Sequence, residues 1–242
     1  IDRLVMHHLE QLKSRVLTAY ADLEFHVIYQ SVNAFCTVEL SAQYLDVLKD
    51  RLYTSKKDAH ERRSSQTAMY IITDTLARLL APLISFTADE IWQFLPGERE
   101  KSVHLAVFPS ANPERVDNEL AGYWKSLLDV RADVLKALEL KRAEKLIGHP
   151  LDAAVSIVPT ADFAELLHAA ADRLATIFIV SRVELVDSID GDAFEGVAVP
   201  GLKIAVSKAP GAKCERCWCY SEELGTDPEH PAICPKCTAA VG

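Results

Sequence analysis

Two Cys-x-x-Cys pairs near the C-terminus, Cys214 with Cys217 and Cys234 with Cys237, are separated by sixteen residues. No other feature restricts the fold so tightly. Each pair closes a short turn, and together they can offer four thiolates to one tetrahedral Zn²⁺. Four protein ligands leave no open coordination position, so the metal expected here is structural and activates no water. Disulfides are the competing use of such cysteines. Nothing in the sequence suggests secretion, and only Cys36 lies outside this region, which favours metal. Cys219 is expected to stand outside the ligand set, and Cys36 to be a buried apolar side chain. His230 could replace a ligand, but four cysteines already suffice.

The remaining sequence can bury a sizeable core, since 49% of its 242 residues are hydrophobic. No stretch approaches the roughly 18 uninterrupted apolar residues of a membrane span. The chain opens inside a helical pattern, without an initiator Met or signal-peptide core, and is expected to be a piece of a longer one. Apolar residues recur at helical spacing through Leu9, Leu12 and Val16, through Phe25, Ile28, Val32 and Phe35, and through Tyr44, Leu48 and Leu52. A long helix is expected from about Arg63 to Leu80, ended or kinked by Pro82. Thr87 and Glu90 form a capping-box pattern that would open a short helix, and a short extended segment is expected over 103–108. After Pro109 to Pro113, a plausible linker, a helix from about Asn118 to Leu146 should stop at Gly148 and Pro150. Ala153, Val155 and Ile157 then alternate as a strand, residues 161–175 return to helix, and 183–186 and 202–206 read as further strands. Ala209-Pro210-Gly211 would hinge this part to the cysteines. The expected fold is multidomain and mainly α: a helical bundle over 1–110, a small α/β junction domain over 111–208, and a four-cysteine zinc finger over 209–242.

Catalytic machinery is missing from the motifs. No phosphate-binding Gly-rich loop, nucleophile elbow or His-Glu-x-x-His occurs, so no catalytic residue is nominated. The net charge of −9 argues against broad nucleic-acid affinity and confines any polyanion contact to patches. Within the first cysteine turn, Arg216 and Trp218 stand two residues apart. Trp218 could cover the metal in a module too small for its own core. Alternatively it could stack on an unpaired base while Arg216 meets a phosphate or base edge. The two uses are compatible.

Leu79-Leu80-Ala81-Pro82-Leu83-Ile84 followed by Phe86-Thr87-Ala88-Asp89-Glu90-Ile91-Trp92 resembles the helical anticodon-binding domain shared by several aminoacyl-tRNA synthetases. Asn33 to Ser41, Arg62 to Thr67, Ser102 to Leu105 and Lys136 to Glu139 are similar to the bacterial isoleucyl enzymes. Lys213-Cys214-Glu215-Arg216-Cys217-Trp218 with Cys234-Pro235-Lys236-Cys237 resembles their C-terminal zinc finger. The resemblance implies the C-terminal part of an isoleucine–tRNA ligase, the ligase that charges tRNA(Ile) with isoleucine using ATP. ATP would belong only to the parent enzyme, whose catalytic and editing domains this chain lacks. It further implies one structural Zn²⁺ on Cys214, Cys217, Cys234 and Cys237, and docking of the tRNA(Ile) anticodon stem-loop through Arg216 and Trp218. Arg62, Arg63 and Gln66 are carried over as further tRNA contacts, with Lys141, Arg142 and Lys145 as additional candidates. A cytoplasmic monomer is expected, without membrane contact. Two other readings compete: a DNA-repair glycosylase-type zinc-finger DNA binder, and a zinc-ribbon protein-interaction module. The first needs a catalytic N-terminal proline and a basic body, whereas this chain begins Ile1-Asp2 and is acidic.

Overall fold

The computed structural model describes residues 1–241, which group into two compact units. One comprises Ile1–Leu52 with Lys57–Ala121, the other Tyr53–Lys56 with Gly122–Gly242. The architecture is mainly helical, with small sheets and a C-terminal cysteine cluster.

The first unit is built on helix α1 (Asp2–Ala21), whose Leu9, Leu12 and Val16 enter the core at helical spacing. Helix α2 (Phe25–Ala34) runs through a π-helical stretch, Phe35–Leu45, into α3 (Asp46–Thr54), so two expected helices form one continuous rod. Helix α4 (His60–Leu80) adds Ala68, Ile72 and Leu79 to the same core. Asp2 joins these elements: its carboxylate accepts from Tyr44 Oη at 2.7 Å, Ser64 Oγ at 2.8 Å and Ser65 Oγ at 3.1 Å. Burial, with the Asp2 charge beside it, pushes the Tyr44 phenol well above its ordinary range. Cys36 is only partly buried, packed against the edge of this core.

Helix α5 (Ser85–Phe94) begins two residues before the expected Thr87 cap, and no side chain caps it. The turn after α4 already supplies Ile84 and Ser85 to the first helical turn, so Thr87 is an interior residue. The expected extended segment is instead a single 3-10 turn at Val103–Leu105, followed by irregular chain.

Three polar residues on α1 turn inward. His7 Nδ1 accepts the amide of Asp117 at 3.0 Å, Glu10 accepts that of Asn112 at 2.7 Å, and Lys13 Nζ donates to Ser110 O at 3.0 Å. The Glu10–Lys13 ion pair, at 2.6 Å, is almost fully buried. The proline-containing segment after Pro109 is thereby strapped to α1.

Helix α6 (Asn118–Ala143), which from Gly122 on belongs to the second unit, ends by a left-handed residue, Lys145 (φ 61°), not by Gly148. Leu146 N–H reaches back to Lys141 O at 3.0 Å and Lys145 N–H to Arg142 O at 3.0 Å, the double closure of a Schellman end. Buried Ile147 seals it from the core side. Strand β1 (Ala153–Val158) pairs in parallel with β2 (Arg182–Leu185) across α7 (Ala161–Phe178). It pairs antiparallel with the later Lys203–Lys208 strand, which a short Phe194–Glu195 strand edges. Numbering Phe194–Glu195 as β3 and Lys203–Lys208 as β4, the sheet order is β2-β1-β4-β3. Alternation in β1 buries Ala153, Val155 and Ile157, and α7 buries Leu167, Leu174 and Phe178.

Asp133 of α6, 3% exposed, accepts the amides of Val197, Ala198 and Val199 at 2.9, 3.0 and 2.9 Å. Residue 196 must be glycine there, because a Cβ would lie 2.4 Å from Val199 O and 2.7 Å from Asp133 Oδ2.

Candidate functional site

The cysteine module begins at a two-residue hairpin, β5 (Ala212–Lys213) with β6 (Tyr220–Ser221). Gly211 enters it with φ 90°, and a Cβ would meet the Ser221 backbone at 2.3 Å, so the tight crossing demands glycine. The expected hinge is bonded on both sides: Ala209 N–H donates to Asp152 O at 2.8 Å, and Tyr220 N–H to Ser181 Oγ at 2.8 Å. Arg182 and Glu222 add an ion pair at 3.1 Å.

The first cysteine turn hangs from this hairpin. Cys214 N–H donates to Cys219 O, and Trp218 N–H to Cys214 O, both at 2.9 Å. The second turn is the start of α8 (Pro235–Val241), where Cys237 N–H and Thr238 N–H both return to Cys234 O at 2.9 Å. Pro235 at the first helical position is suited to this, since its missing N–H would have no partner there.

All four sulfurs are buried and lie within 4.8 Å of one another. A tetrahedral Zn²⁺ with Zn–S bonds of about 2.3 Å sets its sulfurs about 3.8 Å apart. Cys217 Sγ and Cys234 Sγ stand 3.7 Å apart. Burial pushes the Cys214 thiol up, but the surrounding amides of Cys217, Cys234 and Arg216 outweigh it and bring the thiol down to about 6. Burial and the neighbouring sulfurs hold Cys234 and Cys237 above the ordinary thiol range. Cys217 is raised by its thiol contact with Cys219 and then by burial. Crowded thiols of this kind resist joint ionisation until a divalent cation compensates the charge. The donor set therefore fits zinc. Cys219 packs beside the four with Leu224 and Ile233, and neither it nor His230 belongs to the group.

Trp218 and Arg216 are placed differently. Trp218 takes a left-handed backbone, φ 67°, and its side chain is 60% exposed. Arg216 is half-buried and donates from Nη1 to Thr54 O at 2.6 Å and from Nη2 to Tyr53 O at 3.4 Å. Those carbonyls belong to the 53–56 segment of the same unit.

On α4 of the first unit, Arg63 and Gln66 are exposed and Arg62 is half-buried. Their i, i+3 and i, i+4 spacings place them side by side on one flank. Among the additional candidates, Lys141 is held between Glu144 at 2.9 Å and Asp192 at 3.0 Å. Arg142 pairs with Glu139 at 2.8 Å, while Lys145 is exposed. Lys208, a cation ending a strand, and Tyr220, an aromatic beside the cysteines, carry only weak signals in the sequence.

No described helix is long and apolar enough to cross a membrane. Residues 211–240 match a family model described as a zinc finger found in FPG and IleRS. The whole chain is 54% identical to part of an isoleucine–tRNA ligase of Geobacter sulfurreducens, spanning 26% of that protein's length. It is 52% and 46% identical to isoleucine–tRNA ligases of Syntrophotalea carbinolica and Moorella thermoacetica, again over 100% of this chain and 26% of theirs. The chain thus spans about a quarter of the length of the curated relatives it matches. Residues 2–157, more than half of the chain, match the model described as the anticodon-binding domain of tRNA ligase, and the chain belongs to that family.

Proposed function

We propose that this chain is the tRNA-docking C-terminal part of an isoleucine–tRNA ligase, with the first unit meeting the anticodon stem-loop and the finger covering the loop. The parent would activate isoleucine with ATP and edit misacylated valine on domains outside this chain. Zinc on Cys214, Cys217, Cys234 and Cys237 acts as a staple, holding a short loop rigid where an acidic protein meets RNA. The three-part division into bundle, junction and finger, and a cytoplasmic monomeric state, belong to the same proposal.

The observation that carries the reading is Trp218. A large aromatic in a left-handed conformation, for which glycine is the cheaper residue, is exposed instead of sealing the cysteines. That placement suits stacking on an unpaired base. Arg216, with its guanidinium directed at two carbonyls, supports the loop and would add charge to the RNA-facing side. Arg62, Arg63 and Gln66 would follow the backbone along α4.

A shared finger model leaves a DNA-repair relationship open on the finger alone, but the helical match over 2–157 supports the tRNA-ligase side. The turn before α5 and the helix itself leave Leu83, Ile84, Phe86 and Phe94 exposed. Exposed apolar side chains of this kind suit contact with the remaining domains of a longer polypeptide. The direct test is fluorescence anisotropy with a tRNA(Ile) anticodon stem-loop against an unrelated hairpin of equal length. Preference for the cognate loop is expected, and equal binding to both would defeat recognition.

A further inference from the structure

A cleft of about 540 Å³ in the second unit lies where the end of α6, the end of β4 and the finger hairpin meet. Arg142, Lys145 and Lys208 line it, with Tyr220 among its walls and Asp152 as the one carboxylate. Asp152 is already engaged: its Oδ2 accepts the amides of Gly148 at 3.1 Å and His149 at 2.7 Å, and Lys213 Nζ stands 3.9 Å from Oδ1. The Glu139 partner of Arg142 is an exposed one, and such pairs exchange readily for another anion. Among the described residues, neither Lys145 nor Lys208 forms an ion pair. On a chain of net charge −9, a concave site with two uncompensated ammonium groups is out of keeping with its surroundings.

We infer that this cleft is a phosphodiester-binding site for the RNA strand that leaves Trp218, with Lys145 and Lys208 neutralising backbone phosphates. The inference rests on the proposed RNA docking and extends it to residues outside the finger's cysteine turns. Trp218 lies two residues from Tyr220, so their Cα atoms are at most about 7 Å apart. The residue that carries the exposed indole thus stands close in the chain to one that lines the cleft, and a strand stacked on it and running to the Tyr220 side would meet the cations. The half-buried Tyr220 ring offers a flat wall beside the cations, which suits a ribose or base edge. Contacts of this kind position a strand without reading it.

The test uses the full 242-residue chain, zinc-loaded, with Lys145→Asn and Lys208→Gln combined. Asparagine tolerates the left-handed backbone at 145, and Lys208 is an exposed strand end, so folding should persist. Binding of a labelled tRNA(Ile) anticodon hairpin is followed across salt concentration. Each lost phosphate contact should flatten the slope of log affinity against log salt by about 0.7–0.9, so the pair should flatten it by about 1.4–1.8. The weakening should be the same for hairpins of any loop sequence, and Lys208→Arg should retain the slope. Wild-type binding with an unchanged slope in the double variant overturns this site alone. No RNA binding by the unaltered chain overturns the docking reading and the site with it. Phosphatidylglycerol vesicles serve as the lipid-phosphate arm; loss of vesicle binding without loss of RNA binding would also overturn the assignment. Should the double variant fail to fold, the single Lys208→Gln change, expected to flatten the slope by about 0.7–0.9, carries the same decision.

Discussion

Replacing Trp218 by glycine separates the two uses open to that side chain. The residue sits at φ 67°, where a side chain costs about 1 kcal/mol or more relative to glycine. Glycine relieves that cost, and the indole, 60% exposed, has little buried area to lose. Finger stability should therefore hold or rise slightly. If the ring stacks on a base, its removal forfeits about 1–3 kcal/mol of binding, a loss of about 5- to 150-fold in affinity. Trp218→Ala removes the same ring but keeps the left-handed strain, so it should match glycine in RNA binding and fall below it in stability. The assays are anisotropy with the anticodon hairpin and the rate of zinc transfer to a chromogenic chelator. The expected outcome is weakened RNA binding in both variants, with zinc transfer no faster than in the unaltered chain and slower for glycine than for alanine. Faster zinc loss with intact RNA affinity would refute the reasoning, since the ring would then be a lid on the metal.

Three further outcomes follow from the geometry. Metal analysis of reduced protein should find one zinc per chain, and stripping it should abolish amide protection over residues 212–241 while β1 and β4 stay protected; protection that survives chelation would contradict a metal-held finger. Glu10→Ala should destabilise the first unit by about 3–5 kcal/mol, because it strands the buried Lys13 ammonium and the Asn112 amide; a loss under about 1 kcal/mol in denaturant melts would mean that the strap is not held by this pair. Gly196→Ala should cost about 1–3 kcal/mol, as Val199 O and Asp133 must both retreat from the new methyl; an unchanged melting midpoint would show the turn to be more yielding than drawn.

Much of the fold is readable wherever short-range periodicity carries it. Helical spacing of Leu9, Leu12 and Val16, and alternation of Ala153, Val155 and Ile157, both survive in the structure because each pattern states which face is apolar. Reading fails where a local rule had a competitor. Thr87 matched a capping pattern, yet the turn at 81–84 starts α5 earlier; Gly148 looked like a helix stop, yet buried Ile147 anchors a closure at Lys145. His7, Glu10 and Lys13 carry no signal of burial in the sequence, but the 110–117 segment, about a hundred residues away in the chain, covers them.

The sequence by itself determined the cysteine cluster and the family, because ligand number, spacing and motif order are properties of the chain alone. Which cations remain uncompensated, and whether the indole faces metal or water, were decided only in three dimensions. Lys141 and Lys145 are equivalent as letters. They differ because Lys141 meets Glu144 one helical turn on and also Asp192, fifty-one residues on, which folds back to it, and charge pairing depends on distance in space.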